Sequence, residues 1–199
     1  MTNHTANVAA LIGSRICHDL ISPVGAVTNG LELLAMSGVS DSPELSLVNS
    51  SAADASARIK LFRLAFGTAS DGQKTGSDEL RRILSDHYSD GRINVQWQPQ
   101  GDIPRKVAKA AVLGVLCVEQ SLPFGGELQI TTDGERWSVT GTSDRIKERP
   151  ELWDGLMGKA SLDDLAPADV QYLLLNVLLD AMGRDCSVSA SDNAVSLRF

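Results

Sequence analysis

The strongest constraint in this chain is the apolar periodicity of its first 66 residues. Ile16, Leu20, Val24, Val27, Leu31 and Leu34 follow one another at steps of 4, 4, 3, 4 and 3. That spacing places all six on one stripe of a long helix, expected over residues 7–36. A short polar link follows, and then Ser42-Pro43-Glu44 has the form of an N-cap, a first-position proline and a first-turn acid. The second helix carries Leu45, Val48, Ala52, Ala55, Ile59, Phe62 and Phe66 at steps of 3, 4, 3, 4, 3 and 4, a sustained heptad. Residues 7–66 are therefore expected to form an αα-hairpin. Two helices leave much of such a surface in water. A second copy would cover it as a dimeric four-helix bundle, and packing against the rest of the chain is the competing solution. A homodimer is expected.

Residues 68–77 have linker composition, so the expected division is 1–67, a linker at 68–77, and 78–199. The second part mixes both periodicities. Helices are expected at 78–88, 104–121, 149–158 and 167–182, the last closed by Gly183. A strand is expected at 92–99, where Ile93, Val95 and Trp97 alternate. Hairpins are expected at 127–140, turning on Asp133-Gly134, and at 186–199. The fold class is α+β, with a helical hairpin followed by a sandwich of helices on a mostly antiparallel sheet. The leucine-rich run around Leu173–Leu179 is expected in its core.

Charge and cysteine usage exclude several classes. The chain has 18 Lys and Arg against 25 Asp and Glu, a net charge of −7. A phosphate-tracking nucleic-acid binder normally presents a basic face, so no nucleic-acid partner is expected. No apolar run reaches the roughly 18 residues of a membrane span. Residues 1–7 lack a basic signal n-region. Cys17, Cys117 and Cys186 show no disulfide or metal spacing. A cytoplasmic protein without a resident metal is expected. Residues 1–67 carry −1 and residues 68–199 carry −6, so an acidic partner is better met on the hairpin.

One segment carries chemistry: Arg15-Ile16-Cys17-His18-Asp19-Leu20-Ile21-Ser22-Pro23. His18 is two residues from both Ile16 and Leu20, about 200° around the helix from each. It belongs to the face opposite the apolar stripe. Its helical neighbours are Ser14, Arg15, Ile21, Ser22, Gly25 and Asn29. This mostly small or polar face would let a bulky partner approach an imidazole, and these six are the candidate partner-binding residues. Arg15 is placed to neutralise an anionic group. His87 is expected on a helix surface and His4 in a frayed tail. Cys17 has no base partner in sequence.

His-Asp-Leu-x-Ser-Pro at residues 18–23 resembles the H-box of the two-helix domain of sensor histidine kinases. The longer string Ile-Cys-His-Asp-Leu-Ile-Ser-Pro-Val-Gly-Ala is similar to the ChpT-type histidine phosphotransferases of alphaproteobacterial phosphorelays. That resemblance covers nearly the whole chain. It implies that His18 is the phosphoacceptor and that Asp19 has an acid–base or orienting role. The latter is the weaker inference, because adjacent residues do not face each other on a helix. It also implies receiver-domain partners, one of a hybrid kinase and one or more of response regulators, with Mg²⁺ brought by the receiver. The second part would then be a degenerate kinase ATPase-like domain.

The residues of the second part agree with the word degenerate. Leu113–Gln120, on the helix that normally carries a magnesium-binding asparagine, has none. No Asp-x-Gly-x-Gly motif occurs. Ala166-Pro167-Ala168-Asp169 stands where a Gly-rich phosphate loop would precede the last helix. ATP therefore has no evident site, and no cofactor is expected on this chain. The leading expectation is a phosphorelay phosphotransferase acting through phosphohistidine at His18. The alternative is a catalytically silent adaptor that binds a kinase or receiver domain through the same bundle. An ATP-dependent kinase is disfavoured.

Overall fold

The computed structural model describes residues 3–36, 43–89, 91–162 and 165–199. Side chains of residues 3–12, 14, 15, 17–19, 23 and 44 lie outside the described set. The hairpin consists of α1 (Asn3–Met36), which runs through Pro23, and α2 (Pro43–Phe66). The second part contributes β1 (Lys74–Gly76), α3 (Ser77–Tyr88), β2 (Ile93–Trp97), β3 (Asp102–Pro104), α4 (Arg105–Glu119), β4 (Gly126–Thr132) and β5 (Trp137–Thr142). It then adds α5 (Pro150–Leu156), a 3₁₀ turn (Pro167–Asp169), α6 (Val170–Ala181), β6 (Ser187–Ser191) and β7 (Ala194–Arg198). Among the described residues, no helix is long and apolar enough to cross a membrane.

The main sheet has the order β2-β4-β5-β7-β6, with β2 parallel to β4 and every other pair antiparallel. One face carries Leu128, Ile130, Val139, Val195 and Leu197 against α4. Helix α4 is apolar almost all round because the sheet lies on one side and α6 and the end of α2 on others. Gly141 permits this approach, since a Cβ there would lie 2.6 Å from Val118 Cγ1. The Asp133-Gly134 turn forms as expected. The Asp133 carboxylate accepts from the amides of Glu135 (3.0 Å) and Arg136 (2.8 Å). These bonds hold its acid below the usual carboxylate range.

One expectation needs correcting here. Residues 68–77 are not wholly a linker. Residues 74–76 form β1, antiparallel to β3, a strand absent from the sequence reading. Thr75 and Ser77 are buried there. The Ser77 hydroxyl accepts from Trp97 Nε1 at 2.9 Å and donates to the Pro99 carbonyl. Three-residue strands leave no periodicity to detect, and the polar composition is explained by these pairings. On α2 the heptad stripe is divided: Val48 and Phe62 are exposed, Ala52 is buried and Phe66 packs against the sandwich core, while Ala57, Leu61, Leu64 and Ala65 beside it are buried. The last three join the sandwich core. Alanine pairs with leucine on that face, so it gives a weaker apolar signal than the stripe. The run at Leu173–Leu179 is mixed: Leu175 and Leu179 are buried and the others half-buried.

Candidate functional site

The hairpin packs antiparallel, and its register is visible where Gly13 meets Phe66. A Cβ on Gly13 would lie 3.2 Å from the Phe66 carbonyl oxygen. Counting equal helical rise from that contact, position 18 lies level with Leu61 and position 21 with Arg58. The segment bearing His18 therefore runs beside the part of α2 that enters the sandwich core. His18, Asp19, Ser14, Arg15 and Cys17 all have helical backbone in α1, and their side chains lie outside the described residues. So does the side chain of His4.

The rest of the expected partner-binding face is described. Ser22 and Asn29 are exposed, whereas Ile21 and Gly25 are half-buried. Nothing lies within 4 Å of where a Gly25 Cβ would stand. The opposite stripe of the hairpin is uncovered in the single chain: Ile16 is 53% exposed, Leu20 46%, Val27 50% and Leu34 45%. Leu31 alone of that stripe is buried. Exposed large apolar residues repeating along a helix mark a contact surface.

In the second part, the seam between α4 and α6 is filled by side chains. Tyr172, fully buried, donates its hydroxyl to the Cys117 carbonyl at 2.9 Å. Trp153 packs edge-on against its ring, with centroids 5.1 Å apart. Burial pushes the Tyr172 phenol and the Cys117 thiol well above their ordinary values. Across the seam's mouth, Arg149 Nη1 donates to Gln120 Oε1 at 2.7 Å and pairs with Asp169 at 2.8 Å. Asn176 Nδ2 donates to the Leu156 carbonyl at 2.9 Å. Leu162 closes over Gly155, where a Cβ would come within 2.3 Å of it. Among the described residues, no three His, Cys, Asp or Glu side chains gather as metal ligands.

Two polar clusters escaped the sequence reading. His87 is not a free surface residue. It stacks edge-on with Tyr88 (4.7 Å) and is half-buried, and its Nδ1 has no hydrogen-bond partner among the described residues. Burial first, and then Arg58, hold its imidazole below the ordinary value. The Tyr88 hydroxyl donates to Glu119 Oε2 at 2.8 Å, and burial raises that carboxyl's pKa. The partners are 31 residues apart, so no local spacing could have joined them. The second cluster is Lys109, whose Nζ donates to the Gly67 carbonyl at 2.7 Å from inside α4. One charge within an apolar helix was the available signal.

The family described as "Histidine phosphotransferase C-terminal domain" matches residues 77–194. The chain is 29% identical over 197 residues to the protein phosphotransferase ChpT of Brucella abortus (strain 2308), covering 96% of this chain and 94% of that protein. A 1.7 Å structure of a bacterial phosphotransferase superposes with a TM-score of 0.70 at 23% identity, over 100% of this chain and 97% of that one. That similarity extends the shared fold across hairpin and sandwich together. The uncovered helical hairpin, the α+β sandwich behind it and the match over 77–194 place the chain in the histidine phosphotransferase family, of the ChpT type.

Proposed function

We propose that this protein carries a phosphoryl group between receiver-domain aspartates through a phosphohistidine at His18. The observation that carries this reading is an H-box segment on the hairpin of a chain that belongs to the histidine phosphotransferase family. The unprotonated imidazole nitrogen of His18 attacks the phosphorus of an aspartyl phosphate. The N–P bond forms as the P–O bond breaks, and the aspartate leaves as a carboxylate. The proton on the other ring nitrogen is released to water or to Asp19. A second receiver aspartate reverses the step. With a loose transition state, positioning and charge neutralisation supply most of the catalysis. Arg15, one turn before His18, is assigned the neutralising role. Ser14, Ile21, Ser22, Gly25 and Asn29 form the face that the receiver approaches. The receiver carries the Mg²⁺, and the chain itself uses no cofactor.

The working form is a homodimer in which a partner hairpin covers Ile16, Leu20, Val27 and Leu34. Their exposure in the single chain supports this, as does the heptad of α2. The sandwich acts as docking support rather than as an ATPase. In its favour, Tyr172 and Trp153 fill the seam between α4 and α6, and the nucleotide motifs are missing. Three incubations test the whole reading. The protein with ATP alone should gain no label, and the protein with a phosphorylated receiver should gain acid-labile phosphate on His18. A second, unphosphorylated receiver should then remove it. Receiver binding without labelling would establish the adaptor instead, and labelling by ATP alone would establish a kinase.

A further inference from the structure

Where the hairpin meets the sandwich there is a cavity of about 500 Å³. It is lined by Arg58 of α2, by His87 and Tyr88 at the end of α3, and by Glu119 at the end of α4. Arg92 and Lys147 complete its charged rim. The volume falls in the range of small-molecule sites. The cavity has a floor as well as a rim, because Tyr88 and Leu122 lining it are almost fully buried.

Three cations converge on this space from three separate segments, and none forms an ion pair among the described residues. Their backbones are fixed. The Arg92 carbonyl accepts from the Gly126 amide at 3.0 Å, and the Lys147 amide donates to the Ser121 carbonyl at 2.9 Å. Gly125, at φ +91°, makes the turn that brings this strand entrance against Arg92, where a Cβ would strike its carbonyl. His87 also lines the cavity, and its Nδ1, closed to solvent, has no hydrogen-bond partner among the described residues and lies out of a ligand's reach. Exposed cations from three segments around one concave site favour an anion with several acceptor oxygens.

We propose that this cavity binds the phosphate group of a small molecule, held by Arg58, Arg92 and Lys147. The apolar wall of Leu122 and Pro123 takes the ligand's body. A bound phosphate bridges the hairpin, through Arg58, to the sandwich, through Arg92 and Lys147. Among the described residues, Glu119 is the one acid in the lining. Its carboxyl is held by the Tyr88 hydroxyl and opposes the anion when ionised. This site is independent of any chemistry at His18.

The test is calorimetric titration of the full-length protein with inorganic phosphate and with pyrophosphate, at constant ionic strength against chloride. Pyrophosphate should bind with a dissociation constant below about 1 mM. Arg92→Ala with Lys147→Ala should weaken it by about tenfold or more, since charge-assisted hydrogen bonds are lost. Glu119→Gln should tighten it several-fold, because the opposing charge goes and an amide donor remains. His18→Ala should bind as the wild type does. Circular dichroism melts of each variant verify that the fold is retained. Absence of heat at millimolar pyrophosphate overturns the proposal, as does binding that ignores both the cation and the Glu119 changes. A cation variant that lowers transfer from a phosphorylated receiver while pyrophosphate affinity stays unchanged also overturns it, and marks a protein-docking surface instead.

Discussion

Lys109 Nζ donates a 2.7 Å hydrogen bond to the Gly67 carbonyl, joining the centre of the sandwich to the last turn of the hairpin. Lys109 is 8% exposed, and Gly67 stands just past the end of α2. A cation there meets the negative end of the helix dipole and satisfies a carbonyl that the helix leaves unpaired. With Leu61, Leu64 and Ala65 in the common core, this bond ties the hairpin to the sandwich.

Burial, and then the neighbouring Arg105, lower the Lys109 pKa to about 8. The folded protein therefore releases this proton more readily than the unfolded chain, whose lysine titrates near its ordinary 10.5. Between those values the unfolded state holds more protons, so this residue's contribution to stability rises with pH from about 8 to 10.5. Below that window the contribution is constant and at its lowest. Denaturant unfolding at pH 7 and pH 10 should show wild type gaining stability relative to Lys109→Met. An unchanged difference between the two proteins would contradict the assignment.

His18→Ala should abolish phosphoryl acceptance from a phosphorylated receiver and leave the secondary structure intact. Its position opposite the apolar stripe means that little packing is lost, so stability should move by less than about 1 kcal/mol. Retained acceptance would end the assignment of His18, and loss of folding would make the residue structural.

Gly25→Trp separates access from chemistry. A Cβ at this position meets nothing within 4 Å in the single chain, so the helix should tolerate the change. The indole, two turns along the face from position 18, should block a receiver domain. A small donor such as phosphoramidate should still phosphorylate the variant. Equal loss with both donors would refute the steric reading.

The exposed hairpin stripe leads to a change of mass. Val27→Glu should dissociate the homodimer, because dimerisation would bury an unpaired charge, and the monomer should remain folded. Leu61→Ala should behave in the opposite way. It removes a fully buried side chain from the shared core, costing about 2–5 kcal/mol without a new surface charge. Sedimentation velocity and thermal melts distinguish the two. A Val27→Glu protein that keeps the wild-type mass would show that the stripe is not the interface.

Tyr172→Phe should cost about 0.5–1.5 kcal/mol, the loss of one hydrogen bond to the Cys117 carbonyl. The ring stays against Trp153, so the seam stays filled and calorimetry with ATP and Mg²⁺ should remain silent. Micromolar ATP binding in the wild type or this variant would overturn the reading of residues 113–120 and 166–169.

Local pattern made several elements legible. Both hairpin helices were visible because their apolar stripes recur over many turns, and Pro43 marks the α2 start that the structure shows. The β4–β5 hairpin was visible because Asp133-Gly134 specifies its own turn. Long-range pairings left no such trace. β1 and β3 stabilise each other across 26 to 30 residues, and Tyr88 finds Glu119 across 31. Each partner taken alone looks like an ordinary surface residue.

The sequence by itself determined that residues 14–29 lie in one helix, because helical periodicity depends only on spacing. It also determined the αα-hairpin followed by an α+β sandwich. Tertiary structure alone decided which side of α2 the sandwich takes, since burial depends on what arrives opposite a face. It took Leu61, Leu64 and Ala65 into the core, packed Phe66 of the heptad stripe against it, and left Val48 and Phe62 exposed. It likewise gathered Arg58, Arg92 and Lys147 around one cavity, a convergence of distant segments that no spacing along the chain encodes.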